Sequence, residues 1–217
     1  MLITFSGLDG AGKTTLVRLL QASLERRDVR ATVSHMYRDV GVYALGRALA
    51  GRLGLRAGRP RPDASAGRQS AGTPAAGFAP DIIWKRSLRL LVYPLDLLIF
   101  ACYRVYVEGL KRHVLIMDRY FYDTLVDVSF RRGPSRAARI LSRLTPTPSV
   151  PVLLDISPAE AFARKGEHGI QFLEGKRTAY GSVFPAGGRG LVLEARRDLG
   201  ETLLAVEAAV LERMKGR

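Results

Sequence analysis

The sequence contains a single cysteine, Cys102, so a disulfide within the chain is excluded. A lone thiol inside an apolar run is expected to be a buried structural residue in a reducing compartment.

The three histidines, His35, His113 and His168, lack metal-ligand spacing, and no site is assigned to them. The first residues lack a basic segment followed by a cleavable apolar one, so we expect a first strand there, and a cytoplasmic protein, rather than a signal peptide.

No uninterrupted apolar run is long enough to cross a bilayer. The most apolar stretch, 88–107, favours a pair of core helices over a membrane span because it is broken by polar residues and proline. The interruptions are Arg89, Pro94, Asp96 and Arg104.

Acidic residues are scarce, with 20 against 34 lysines and arginines, which gives a net charge of +14. This excess suggests an anionic partner, such as nucleotide phosphates, nucleic acid or a membrane face. A solvated basic insert explains it equally well, since many arginines fall at 52–68 and 131–143. Composition is otherwise that of a globular protein, and 217 residues suit one domain covering 1–217.

Short apolar runs alternate with amphipathic stretches along the chain. The runs predict strands at 2–5, 31–36, 114–117, 152–155 and 191–193. Helical periodicity predicts helices at 14–27, 42–53, 81–111 with a break at Pro94, 123–130, 135–144, 158–164, 171–180 and 199–214. Ser157 is expected to cap the helix that begins at Pro158. Strands separated by helices predict a three-layer α/β fold, a parallel sheet flanked by helices on both faces.

Residues 54–80 differ in composition from the rest of the chain. Glycine, alanine, proline, arginine and serine dominate, and large apolar side chains nearly vanish. We expect a flexible, low-complexity insert within the domain rather than a boundary between two domains.

Residues 7–14 read GLDGAGKT and match the phosphate-binding motif G-x-x-x-x-G-K-[ST] in full. Because the match lies between a predicted strand and a predicted helix, it indicates the P-loop NTPase version of the α/β fold. Backbone amides would face the phosphates of ATP, with Lys13 on the β- and γ-oxygens and Thr14 on Mg²⁺. The candidate cofactor-binding residues are Gly7, Asp9, Gly10, Ala11, Gly12, Lys13, Thr14 and Thr15.

Asp118 ends the apolar run VLIM and is a candidate second Mg²⁺ ligand. The alternative is a strand-end aspartate that only caps a turn. Arg119 follows directly and can reach the transferring phosphoryl group, so we expect it to be catalytic.

Four further motifs occur in one order along nearly the whole chain. They are RDVG at 38–41, FACYR at 100–104, DRY at 118–120 and VLLDISP at 152–158. Together with the glycine-rich motif, this series resembles the thymidylate kinases among the nucleoside monophosphate kinases. The resemblance implies transfer of the ATP γ-phosphate to a nucleoside monophosphate, most readily thymidylate, and it is compatible with a homodimer.

The resemblance also implies an acceptor site. Arg38 would hold the acceptor phosphate, Asp9 would lie near its sugar, and Arg119 would serve acceptor as well as donor. Phe100 would stack on the base and Arg104 would bind its edge, which suits their i, i+4 spacing on one helical face. A core position is the alternative for Phe100.

Two more residues, Thr124 and Asp127, are acceptor candidates in the segment after DRY. The family has a tyrosine there that blocks a ribose 2′-hydroxyl, and Val126 or Asp127 aligns with it.

A short lid is expected at about 165–170, followed by a helix in which Phe172, Arg177 and Tyr180 resemble the family pattern. Because the loop position that carries an arginine in some members is Ala11 here, the lid must supply a catalytic cation. The candidates are Arg164, Lys165 and Arg177.

The leading hypothesis is therefore an Mg²⁺- and ATP-dependent nucleoside monophosphate kinase. Alternatives are a kinase of another small acceptor, perhaps linked to surface glycan synthesis, and a nucleotide-binding regulator without transfer activity. A nucleic-acid binder ranks last because no recognised nucleic-acid module is present.

Overall fold

The structure is a computed structural model that describes residues 1–36, 38–52, 86–132, 136–166, 168–184, 190–195 and 198–216. The expected flexible insert at 54–80 lies outside the described residues. Within them the chain forms an α/β fold in which a parallel sheet is flanked by helices.

Five strands form the sheet in the described part of the chain: β1 (Leu2–Gly7), β2 (Ala31–His35), β3 (Val114–Asp118), β4 (Val150–Asp155) and β5 (Leu191–Glu194). Their order is β2-β3-β1-β4-β5 and every neighbouring pair is parallel. The central strands β1 and β3 are buried along their whole length, as expected of a sheet covered on both faces. All five predicted strands are thus observed, with small differences at their ends.

The helices follow the predicted alternation. They are α1 (Lys13–Glu25), α2 (Val42–Arg52), α3 (Arg86–Arg104), α4 (Phe121–Arg132), α5 (Arg136–Leu144), α6 (Pro158–Lys165), α7 (Ile170–Val183) and α8 (Leu199–Lys215). The cap predicted at Ser157 is confirmed, since its hydroxyl oxygen accepts the Glu160 amide at 3.3 Å. The expected lid region is the end of α6, Gly166 in a left-handed conformation, and the residues leading into α7.

Three details of the sequence prediction are wrong. α3 runs through Pro94 without a break and continues into a π-helical segment, Val105–Leu110, because a proline removes a single intrahelical hydrogen bond and packing can compensate for that loss. Cys102 is exposed rather than buried. Leu19, grouped by periodicity with the buried face of α1, is 36% exposed.

Helices α4 and α7 approach each other closely at one glycine. A Cβ atom on Gly175 would lie 2.2 Å from Cε2 of Phe130, so only glycine fits there without a shift of the ring. The ring of Phe130 in turn packs edge-on against Phe172, with centroids 5.0 Å apart. This contact holds α7 tightly against α4.

Asp96 explains why an acidic residue lies in the most apolar stretch. Its side chain is buried, and its carboxylate accepts the amide of Val42, the first residue of α2, at 2.7 Å.

In the part of the chain that is described, no helix combines the length and apolar character needed to cross a bilayer.

Candidate active site at the carboxyl edge of the sheet

The glycine-rich loop, defined here as residues 7–13, joins β1 to α1 at the carboxyl edge of the sheet. Gly7, Gly10 and Gly12 have φ angles of 141°, 91° and 86°, which L side chains rarely adopt. At Gly7 a second constraint applies, because a Cβ atom would lie 2.4 Å from the carbonyl oxygen of Leu154 in β4. Glycine at this position therefore lets the chain turn away from the sheet while staying against β4.

Lys13 turns back over the loop that precedes it. Its Nζ donates to the carbonyls of Gly7 at 2.8 Å and Leu8 at 2.7 Å, and the side chain is 6% exposed. Burial is the main cause that lowers the pKa of Lys13, and the nearby Arg119 acts in the same direction. An ammonium has three donors, so one donor remains available to a ligand.

Thr14 and Asp118 bring two oxygen ligands together. The Thr14 hydroxyl donates to Oδ2 of Asp118 at 2.7 Å, across the gap between the start of α1 and the end of β3. This donor set fits Mg²⁺, which typically takes one or two protein oxygens and fills its remaining positions with water and phosphate. The described residues contain no cluster of three or more His, Cys, Asp or Glu side chains that would form a metal cage by themselves.

His35, to which the sequence analysis assigned nothing, lies beside this pair. Its Nδ1 is 2.6 Å from the backbone carbonyl of Asp118 and 4.0 Å from Oδ2 of the same residue. Since a carbonyl only accepts, Nδ1 carries the hydrogen and the imidazole is fixed at the end of β2.

Arg119 and Asp9 form an ion pair across the site. The Arg119 guanidinium contacts Oδ1 of Asp9, and Lys13 Nζ lies 4.0 Å from the same oxygen. Burial alone would raise the pKa of Asp9, but attraction to Arg119 and Lys13 outweighs it and lowers the pKa below 3.8. Arg119 has a φ of 70°, an uncommon conformation for a residue with a side chain, and one that recurs at functional sites.

The Asp9–Arg119 pair gives a pH-dependent contribution to stability. Because folding lowers the pKa of Asp9, the contribution is complete above 3.8 and is lost as the pH falls through the lower folded-state value. We expect Asp9→Asn to reduce the free energy of unfolding by about 1 to 2 kcal/mol at pH 7 and to converge with wild type in acid. Urea unfolding between pH 3 and pH 7 measures this, with the exposed Glu212→Gln on α8 as control. A difference that grows in acid would contradict the assignment.

One residue that sequence reasoning missed lies behind the loop, and it contacts Tyr180, which the sequence analysis named only as part of the family pattern. Asp123, in the first turn of α4, is buried and accepts the Ser6 hydroxyl and the Tyr120 amide, each at 2.9 Å. Its other oxygen accepts the Tyr180 hydroxyl of α7 at 2.6 Å. An aspartate at the start of a predicted helix can be recognised in the sequence. Its partner Tyr180, 57 residues away, cannot be predicted from the sequence in this way.

The cation candidates of the lid are separated by the structure. Arg164 of α6 donates to the Gly10 carbonyl at 3.1 Å, so it touches the loop. Lys165 is close enough to Asp9 to help lower its pKa. Arg177 instead forms a bidentate pair with Asp155, at 2.7 and 2.5 Å, and is held at the end of β4.

Three acceptor candidates, Arg38, Thr124 and Asp127, come after the carboxyl ends of β2 and β3 in the chain. Arg38 is exposed and binds its neighbour Asp39 at 3.1 and 3.3 Å. Asp127 pairs with Lys176 of α7 at 2.8 Å, and Thr124 is 1% exposed within α4. Thr124 therefore does not offer a surface to an acceptor in this structure.

Phe100 does not lie at the edge of the site. Its side chain is fully buried, with its ring edge-on to Tyr120 and Phe121 at centroid distances of 5.5 and 5.3 Å. Edge-to-face packing on two sides leaves no exposed face on which a base could stack. The structure favours the core alternative over the stacking platform.

Arg104 is also placed away from the loop. Its Nε donates to Oε1 of Glu108 at 2.8 Å, and Oε2 of Glu108 lies 3.0 Å from the amino nitrogen of Met1. Met1 precedes β1, whereas the glycine-rich loop follows β1, and a strand of this length spans about 20 Å. The edge-binding role expected for Arg104 is therefore not supported.

Comparison with known proteins adds no family to these observations. No protein-family model matches the chain, and no curated protein sequence matches it. The candidate site accordingly rests on geometry alone. A lysine, an arginine, a Thr–Asp oxygen pair and a loop with three left-handed glycines meet at one edge, an arrangement suited to binding an anion together with a divalent cation.

Proposed function

We propose that this chain is an Mg²⁺- and ATP-dependent phosphotransferase of the P-loop type, acting on a nucleoside monophosphate, with thymidylate the first acceptor to test. The observation that carries the proposal is the position of Lys13. Its ammonium is held within the glycine-rich loop by the Gly7 and Leu8 carbonyls, 4.0 Å from the Asp9 oxygen that Arg119 also contacts.

Different residues of the site would bind different parts of the phosphate donor, ATP. The loop amides and the amino end of α1 favour phosphate oxygens, and Lys13 adds a full positive charge in a buried setting. Thr14 and Asp118 would hold Mg²⁺, and the ion would supply charge neutralisation to the phosphates when bound. Arg164 donates to the loop carbonyl of Gly10, so it is the lid candidate in direct contact with the glycine-rich loop.

The proposed transfer breaks the bond between the γ-phosphorus and the oxygen that bridges to the β-phosphate. The new bond joins that phosphorus to a phosphate oxygen of the acceptor, and ADP keeps the bridging oxygen with its electron pair. Arg119 neutralises charge on the phosphoryl group during its transfer. To do so, it leaves its ion pair with Asp9. No covalent intermediate with the protein is needed.

A second candidate is a P-loop kinase of another small acceptor. It is favoured by the burial of Phe100 and by the pairing of Arg104 with Glu108, which leave the expected nucleobase contacts unmade. The donor half of the site is the same in both candidates.

An acceptor panel tests the proposal. Purified protein, Mg²⁺ and ATP are incubated with each nucleoside monophosphate, and separately with sugars and sugar phosphates, while ADP release is measured. Thymidylate-dependent ADP formation is the expected result. Activity with a sugar alone selects the second candidate, and ATP binding without acceptor-dependent ADP release indicates a regulator. Absence of any Mg²⁺–nucleotide binding would refute both kinase candidates.

A further inference from the structure

The helix after the lid is connected to the glycine-rich loop by one hydroxyl group. The single hydroxyl hydrogen of Tyr180 in α7 is shared between two acceptors: Oδ1 of Asp123, at 2.6 Å, is the main one, and the Gly7 carbonyl, at 3.2 Å, is the weaker one. The tyrosine is buried, and it is separated from Gly7 by 173 residues of sequence. The contact therefore exists only because the fold brings α7 over the end of β1.

The Gly7 carbonyl is the same atom that anchors Lys13. Lys13 Nζ approaches it at 2.8 Å, so the ammonium and the Tyr180 hydroxyl share one acceptor. The direction of that carbonyl determines where the ammonium lies, since the second anchor, Leu8, is the next residue in the loop.

The Tyr180 hydroxyl also stabilises the buried negative charge of Asp123. Its carboxylate accepts from Ser6, Tyr120 and Tyr180, and no cation lies within ion-pair distance of it among the described residues. Burial lowers the pKa of Lys13 overall, but the charge of Asp123 is close enough to Lys13 and Arg119 to act on both in the opposite direction. A buried carboxylate that loses a donor attracts the nearest cation more strongly.

We propose that Tyr180 is a positioning residue for Lys13. Its hydroxyl donates mainly to Asp123 and also contacts the Gly7 carbonyl, and both contacts keep the ammonium on its two loop carbonyls instead of letting it move toward the carboxylate. The inference rests on the proposed function, because the ligand is the phosphate tail of a nucleotide. Through this contact, α7 is coupled to the glycine-rich loop.

The test compares two buried tyrosines that lose the same atom. Tyr180→Phe removes the shared donor, whereas Tyr93→Phe removes a buried hydroxyl that lies 2.6 Å from Thr145 on the α3–α5 side. We expect Tyr180→Phe to weaken Mg²⁺–ATP binding about 10-fold by calorimetry, the equivalent of one lost hydrogen bond, and to lower kcat. Tyr93→Phe should bind within about 2-fold of wild type, whatever urea unfolding reports for its stability.

A double variant checks the electrostatic part of the argument and replaces Tyr180→Phe if that variant does not fold. Tyr180→Phe with Asp123→Asn removes the unpaired charge, so binding should recover to about 3-fold weaker than wild type. Wild-type affinity in Tyr180→Phe, an equal loss in Tyr93→Phe, or a double variant that binds worse than the single one would each overturn the inference. Those outcomes leave the proposed function standing, whereas a wild-type protein that binds no Mg²⁺–ATP overturns both.

Discussion

Lys13→Ala should lower ATP-dependent phosphotransfer by about 100- to 1,000-fold, the loss typical when one preorganised charge is removed from a transition state. The Lys13 side chain is 6% exposed and its ammonium is fixed by two carbonyls, so the charge is preorganised in a setting with little contact to water. Steady-state ADP release, with saturating acceptor from the panel above, measures the effect on kcat and KM separately.

The matched control is Lys111→Ala, which removes the same charge from an exposed side chain next to Tyr106. That variant should keep wild-type turnover, since Lys111 precedes the amino end of β3, whereas the candidate site lies at the carboxyl ends of the strands. A Lys13→Ala protein that folds and retains full turnover would show that the reaction takes place elsewhere.

Gly7→Ala should lower the free energy of unfolding by roughly 3 to 5 kcal/mol. Two costs combine at this position: a φ of 141°, which alanine rarely adopts, and a Cβ atom placed 2.4 Å from the backbone oxygen of Leu154. Backbone strain and overpacking each cost about 1 to 3 kcal/mol, and a main-chain atom cannot move aside as a flexible side chain would. Urea unfolding monitored by circular dichroism measures the loss.

Two other glycines separate these costs. Gly12 has a φ of 86°, but a Cβ atom there would meet nothing within 4 Å, so Gly12→Ala should show only the backbone cost of about 1 to 2 kcal/mol. Gly46 lies in α2 with ordinary geometry and open space, so Gly46→Ala should be neutral or slightly stabilising. If Gly7→Ala proved no worse than Gly46→Ala, the close approach of the loop to β4 would be wrong.

Much of the framework could be predicted because the local signals agree with the tertiary ones. Apolar runs of four or five residues mark strands buried on both faces, and the capping serine before Pro158 starts α6 at the predicted residue. The glycine-rich motif lies at the junction of β1 and α1, where its conformational demands are met. At such positions, the neighbouring residues in the sequence are enough to predict the local structure.

The acceptor side could not be predicted in the same way. Helical spacing places Phe100 and Arg104 on one face of α3, but it does not say whether that face meets a cleft or the core. In the structure, aromatic rings of the chain surround Phe100 and Glu108 binds Arg104. The same limit applies to Leu19 and Cys102, whose exposure depends on which helices cover α1 and α3.

The close fit of Phe130 over Gly175 has a consequence for motion. Asp123 lies on α4 together with Phe130, and Tyr180 lies on α7 together with Gly175. The 2.6 Å hydrogen bond between Tyr180 and Asp123 therefore joins the same two helices that pack closely at Phe130 and Gly175. Interlocked helices of this kind shift as a rigid pair. Any rearrangement that accompanies ligand capture should therefore displace the α4–α7 pair as one body, and the strand end attached to it would be carried along.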